Sequence, residues 1–252
     1  MGKISTVIAA GTILFILLTG CLPSSGVENV VLPTSAGSQP ETTTEYLALP
    51  TIIENTATSL PPEYPEEPGG MFFDDFSDRN SGWLSGYQDL MEGDYYQGGY
   101  KLSVIGDQVY SVSTLSVDYQ NVRMVVDARL VGGQTHNDFG LICRASGLDS
   151  FYAAVINGDG YYGIYRKVQD QDIELISGDG SEQSVVINQG LTLNLIEMTC
   201  MGSTISLRVN GQLLIEVTDT SLQSGAVGLF AGTFSAESTD VLFDNFYLYL
   251  EE

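Results

Sequence analysis

All eight prolines of this chain fall before residue 69, and residues 71–252 contain none. Proline donates no backbone hydrogen bond and is kept out of central strands, so a long proline-free stretch leaves every segment free to pair. The residues supply the matching pattern. Short runs alternate apolar and polar positions, among them VRMVVDARLV, FGLICRA, FYAAVIN, YYGIYRKV, NLIEMTCM, TISLRVNG and VLFDNFYLYL. Between them stand Gly, Asn and Asp clusters such as NGDG, SGDGSE and VNGQ. Period-two runs broken by turn residues, with no long stretch of helical period, predict an all-β sandwich or barrel. Asn210-Gly211 suits the positive φ angles of a tight hairpin turn. FFDDF near the start of this region and LFDNF near its end echo each other, which predicts neighbouring strands that close the domain.

Residues 1–70 are of two other kinds. The first 20 carry one charge, Lys3, and an apolar run too short to span a bilayer, the layout of an export signal. That run ends at Leu18-Thr19-Gly20-Cys21, which resembles the lipobox of bacterial lipoproteins. The resemblance implies cleavage before Cys21 and lipidation of its sulfur, whereas an ordinary signal peptide or an uncleaved anchor would leave that cysteine unmodified. Residues 21–70 hold all the prolines, many Ser and Thr, seven glutamates and no Lys or Arg. They read as a disordered stalk with a span of about 40 Å if flexible. Three regions follow: a signal at 1–20, a lipidated linker at 21–70 and a β domain at 71–252.

The formal net charge is −23, and loss of Lys3 makes it one unit more negative. Such a surface repels nucleic acid, whose binding rests on Lys and Arg at phosphates, and equally repels acidic polymers. Partners are therefore sought among neutral molecules.

The order FFDDFSDRNSGW, YYQGGYKLSV, FGLICRA, FYAAVINGDGYYGIYR, LNLIEMTCMGSTISLRVNGQLLIEVTD, GAVGLFAG and VLFDNFYLYL resembles the concanavalin A-like lectin/glucanase superfamily. It is most similar to the LamG-like and 3-keto-disaccharide hydrolase-like domains. The resemblance covers residues 71–252 and implies a two-sheet antiparallel jelly roll used to bind glycans or proteins, and in some members to cleave glycans. Alternation sorts the faces of three successive strands. Phe139, Leu141 and Cys143 point inward, as do Tyr152, Ala154 and Ile156, then Tyr162 and Ile164. The opposite set contains Gly140, Ala153 and Gly163 with Tyr161, Tyr165 and Arg144. That face is apolar where a solvated one would be polar. Two accounts fit it. Gly140, Ala153 and Gly163 floor a shallow groove in which Tyr161, Tyr165 and Arg144 meet a sugar ring, or another layer of the chain covers the face.

Candidates for chemistry are few. The one histidine, His136, lies in a Gly-rich loop without a nucleophile motif, and one His with two Cys offers no zinc spacing. Glu197 and Glu216 alternate with apolar residues and read as outward strand positions. The E-x-D-x-x-E motif of the laminarinase-type glucanases is missing. Asp75 and Asp244, in the two echoing segments, are weak candidates for a structural calcium, which needs six or more converging oxygens. No other cofactor is expected. Trp83 is the single tryptophan and reads as packing rather than stacking on a ligand. Cys143 and Cys200 fall on inward registers, so they are either two buried thiols or a cross-core disulfide. The reading that follows is a binding module for carbohydrate or a surface protein, held outside the cytoplasm on a membrane by lipid at Cys21. A glycoside hydrolase of the 3-keto-disaccharide type and a purely structural envelope protein are the alternatives.

Overall fold

The computed structural model describes residues 71–251, apart from 84, 89–90, 179, 181 and 235–236. The signal at 1–20, Cys21 and the stalk at 21–70 lie outside the described residues. In chain order the strands are β1 (Met71–Asp74), β2 (Gly86–Gln88), β3 (Met91–Tyr96), β4 (Gly99–Gly106), β5 (Tyr110–Thr114), β6 (Val122–Gly133), β7 (Asp138–Ser146) and β8 (Ser150–Asn157). They continue with β9 (Tyr161–Val168), β10 (Glu174–Leu175), β11 (Glu182–Gln183), β12 (Asn194–Met201), β13 (Thr204–Val209), β14 (Gln212–Thr218), β15 (Ala226–Gly232) and β16 (Glu237–Leu250). Among the described residues every regular element is a strand.

Two antiparallel sheets result. The first runs β14-β13-β12-β6-β16-β4-β3-β2, with β1 also on β16, and the second runs β10-β9-β8-β7-β15-β5, with β11 also on β9. The sheets bury their facing sides against each other in a two-sheet antiparallel jelly-roll sandwich. Tyr100, Leu102 and Val104 of β4, Met124 and Val126 of β6, Phe139, Leu141 and Cys143 of β7, and Ile196, Met198 and Cys200 of β12 are all buried in one core. Each large apolar side chain so buried contributes about 1.5–3 kcal/mol. The echoing segments lie on neighbouring strands, β1 and β16, as expected, but meet only where Asp74 stands opposite Phe246; Phe72 and Phe73 lie opposite Leu248 and Tyr247, beyond LFDNF. Asn210 and Gly211 adopt φ of 50° and 83° in the β13–β14 turn, the conformation a two-residue hairpin demands.

Trp83 is interior. Its ring lies 5.3 Å from Phe76, 5.7 Å from Tyr100 and 5.0 Å from Phe246, centroid to centroid, and its Nε1 donates to Asp74 Oδ2 at 2.8 Å. Cys143 and Cys200 form a disulfide from β7 to β12, which ties the second sheet to the first through the core.

Candidate functional site

The inward registers expected for β7, β8 and β9 are the ones observed, so the remaining positions face away from the first sheet. They do not form an open floor. Ile142, Ala145, Phe151, Ala153, Val155 and Phe230 pack into a second apolar cluster, with Tyr110, Val112 and Tyr165 against it. Ala153 is fully buried there, and Gly163 sits under Leu175, whose Cδ1 lies only 2.7 Å from where a Cβ would stand. Gly140 is equally closed, since a Cβ would come within 2.1 Å of the Ala154 carbonyl oxygen. The floor assigned to Gly140, Ala153 and Gly163 is thus corrected: these small residues admit close packing, and bulky neighbours lie above them.

Arg144 requires a second correction. Simple alternation puts it beside Gly140 and Ile142, but the β7–β8 register slips between Cys143 and Ser146, and Arg144 takes a φ of 52°. The extra residue of the bulge hands the face to Ala145. The guanidinium is turned away to donate to the carbonyls of Gln120 (3.1 Å), Gly202 (2.6 Å) and Leu222 (2.8 Å). It is 3% exposed and ties three loops together at one end of the sandwich. Tyr161 is exposed on β9, with its backbone N–H donating to Asn157 Oδ1, and takes no part in the groove described next.

An open groove of about 450 Å³ lies beside the second apolar cluster. Tyr110 from β5 forms one wall and is backed by Phe230 from β15, which is 4% exposed; the two rings are stacked, their centroids 5.8 Å apart and their planes 20° from parallel. Tyr165 from β9, the one residue of the expected set present, and Lys167 are also part of the lining. Phe234 and Ile173, both partly exposed, add apolar surface, and Asp172 completes the polar complement. Lys167 donates to the Gln171 carbonyl, which fixes its position.

Asp138, the first residue of β7, lines the same groove at 8% exposure. Asn157 Nδ2 donates to its Oδ1 at 3.3 Å, and the Tyr165 phenol is hydrogen-bonded to it as well. Burial pushes the Asp138 carboxyl up to about 7, against the pull of those two hydrogen bonds. An aromatic-walled concavity with a largely buried acid can hold a ring by its face and its polar substituents by their edge.

The other acids singled out in the sequence lie outside the lining of this groove. Glu197 forms an ion pair with Arg208 at 3.4 Å across β12 and β13, and burial pushes its carboxyl up. Glu216 is an exposed position of β14. Asp244 lies opposite Asp127 on β6, and burial, together with the charges of Asp127 and Asp75, pushes it up. Asp75 is exposed and accepts from the Ser77 N–H at 3.0 Å. Among the described residues no three His, Cys, Asp or Glu side chains gather to hold a metal ion.

No protein-family model matches the chain, and no curated protein matches it. Solved structures do. The chain is similar to a carbohydrate-binding module, CBM66, from Bacillus subtilis, with a TM-score of 0.55 and 14% identity over 67% of this chain and 95% of that one. It is also similar to the GH43 protein BlXynB from Bacillus licheniformis, with a TM-score of 0.52 and 11% identity over 71% of this chain and 39% of that one. At such identity the likeness is one of fold.

Proposed function

We propose that this protein is a binding module for neutral carbohydrate, held on a membrane outside the cytoplasm by lipid at Cys21. The observation that carries the reading is the groove in which Tyr110, Phe230 and Tyr165 surround the buried carboxyl of Asp138. Apolar faces of sugar rings stack on aromatic rings, and hydroxyls take the hydrogen bonds of a nearby acid. The similarity in fold to a carbohydrate-binding module supports it. The net charge of −23 disfavours acidic polymers as ligands. The test is an array of neutral oligosaccharides probed with the full chain, with Tyr165→Ala and Phe230→Ala alongside. Each substitution is expected to weaken retention about tenfold. An array on which nothing is retained sinks the reading.

Lipid at Cys21 supports the address. Each buried CH₂ contributes about 0.8 kcal/mol, so two acyl chains hold durably. Labelling of cells with an alkyne fatty acid should mark the wild type and leave Cys21→Ser unmarked and in the soluble fraction.

One observation favours a second reading, glycoside hydrolysis: Asp138 and Asp172 both line the groove, and an acid held near neutrality can protonate a leaving oxygen. Release of new reducing ends from a retained oligosaccharide, abolished by Asp138→Asn, would establish it. A retained and uncut oligosaccharide returns the assignment to binding alone.

A further inference from the structure

A carboxyl at 8% exposure ordinarily has a cation beside it. The partners of Asp138 are instead an amide and a phenol, Asn157 and Tyr165. An ionised carboxylate offers about four acceptor positions, and these two donors occupy half of them. On the other side its cross-strand partner on β15 is Gly232, so no side chain from that position lies over the acid. A Cβ at Gly232 would meet the Phe230 ring at 3.2 Å and the Tyr110 Cβ at 3.4 Å, so a side chain there would crowd the aromatic wall as well. The groove thus brings a stacking wall and an incompletely used carboxyl to one place.

Resting on the carbohydrate reading of this groove, we propose that Asp138 is the group that reads the ligand, accepting hydrogen bonds from two adjacent hydroxyls of a neutral sugar ring stacked on Tyr110, with Phe230 backing that wall. The ionised acid accepts at both oxygens, whereas the protonated acid spends one oxygen on its own proton. Charge-assisted hydrogen bonds are also about twice as strong as neutral ones. Since burial holds this carboxyl near 7, affinity rises with pH through neutrality.

The surrounding groups set the pH at which that dependence falls. β8 contributes Asn157 and β9 contributes Tyr165, both of which donate to the ionised form. β15 contributes Gly232 and no titratable group at this position. Lys167 and Asp172 line the same groove with opposite charges, the first favouring the ionised acid and the second opposing it. His136 stands two residues before Asp138, and its carbonyl accepts from the same Asn157 amide.

The experiment is the neutral-oligosaccharide array, probed with the full chain at pH 5.5, 7.0 and 8.5. The oligosaccharides retained at pH 8.5 are expected to bind about fivefold to tenfold more weakly at pH 5.5, the difference between a charged and a neutral acceptor. Asp138→Asn should bind weakly at every pH and lose the pH dependence, which a merely structural acid would not do. Tyr165→Phe should move the titration to higher pH, because it removes a hydrogen bond to the charged form. Circular dichroism establishes that each variant is folded, and if Asp138→Asn is not, the wild-type profile and Tyr165→Phe decide. Retention that is flat from pH 5.5 to 8.5 overturns the assignment to Asp138 and leaves the carbohydrate reading standing. An array empty at all three pH values removes the carbohydrate reading, and this inference with it.

Discussion

Cys143 and Cys200 are bonded through the middle of the sandwich, their Cα atoms 6.7 Å apart and 57 residues apart in sequence. Both residues are fully buried, so the link fastens one sheet to the other where neither is open to solvent. A loop of that length removed from the unfolded ensemble corresponds to about 4 kcal/mol on the chain-entropy account. Urea unfolding with and without reductant, or of Cys143→Ala/Cys200→Ala, should show a loss of that order. Two free thiols in unreduced, unfolded protein would contradict the bond.

Arg144 should matter for stability and not for the groove. Its guanidinium brackets the carbonyls of Gln120, Gly202 and Leu222, a geometry that a single ammonium cannot reproduce. Arg144→Lys is expected to cost about 2–4 kcal/mol in denaturant unfolding, because it leaves buried carbonyls without donors. Glycan retention by the folded fraction should be unchanged. A variant as stable as the wild type would show that the bracket is dispensable.

The dependence of stability on pH should peak in mild acid. Burial pushes Asp219 up, but hydrogen bonds from Tyr152 and Ser221 and the charge of Arg166 outweigh it and hold the carboxyl at about 2. That depressed group contributes on the order of 2 kcal/mol above pH ~4, lost as pH falls toward 2. Asp138 has the opposite sign. Between pH ~4 and 7 the native state keeps a proton that the unfolded state has released, so stability falls as pH rises, by on the order of 4 kcal/mol. Thermal melts from pH 3 to 8 should have their maximum near pH 4–5, and Asp138→Asn should flatten the alkaline side.

Trp83 should report unfolding and not binding. It is 4% exposed, with its Nε1 given to Asp74, and it belongs to the aromatic cluster of Phe76, Tyr100 and Phe246 in the core. Emission from native protein should be blue-shifted, move to the red in denaturant and stay constant on addition of an oligosaccharide that the array retains. A ligand-dependent shift would place the binding surface elsewhere.

Alternation along FGLICRA, FYAAVIN and YYGIYR was enough to sort inside from outside on β7, β8 and β9, since burial of one face is a local, period-two property. That FFDDF and LFDNF lie on neighbouring strands was legible from their likeness, but their register, in which they meet only at Asp74 and Phe246, was not. What escaped was anything set by an irregularity or by distant strands. One bulge at Arg144 reversed the register beyond it, and nothing in CRASG announces a bulge. Tyr110 and Phe230 belong to strands far apart in sequence, and only the β5–β15 pairing makes them one wall. Asp138 sits in THND, where a charge reads as a turn, and the signal that could have singled it out is its place at the head of the run 139–143, which carries no polar side chain but the cysteine thiol. Tyr165 was found because an aromatic residue on an expected solvent face stands out.

β16 lies between β4 and β6 and also carries β1, so three strands hydrogen-bond to it. Until it is in place the first sheet has no middle, and three partners stand as open edges. Removal of residues 241–250 would not fray a border but take out the seam, so a truncation within β16 should be as damaging as one within β6.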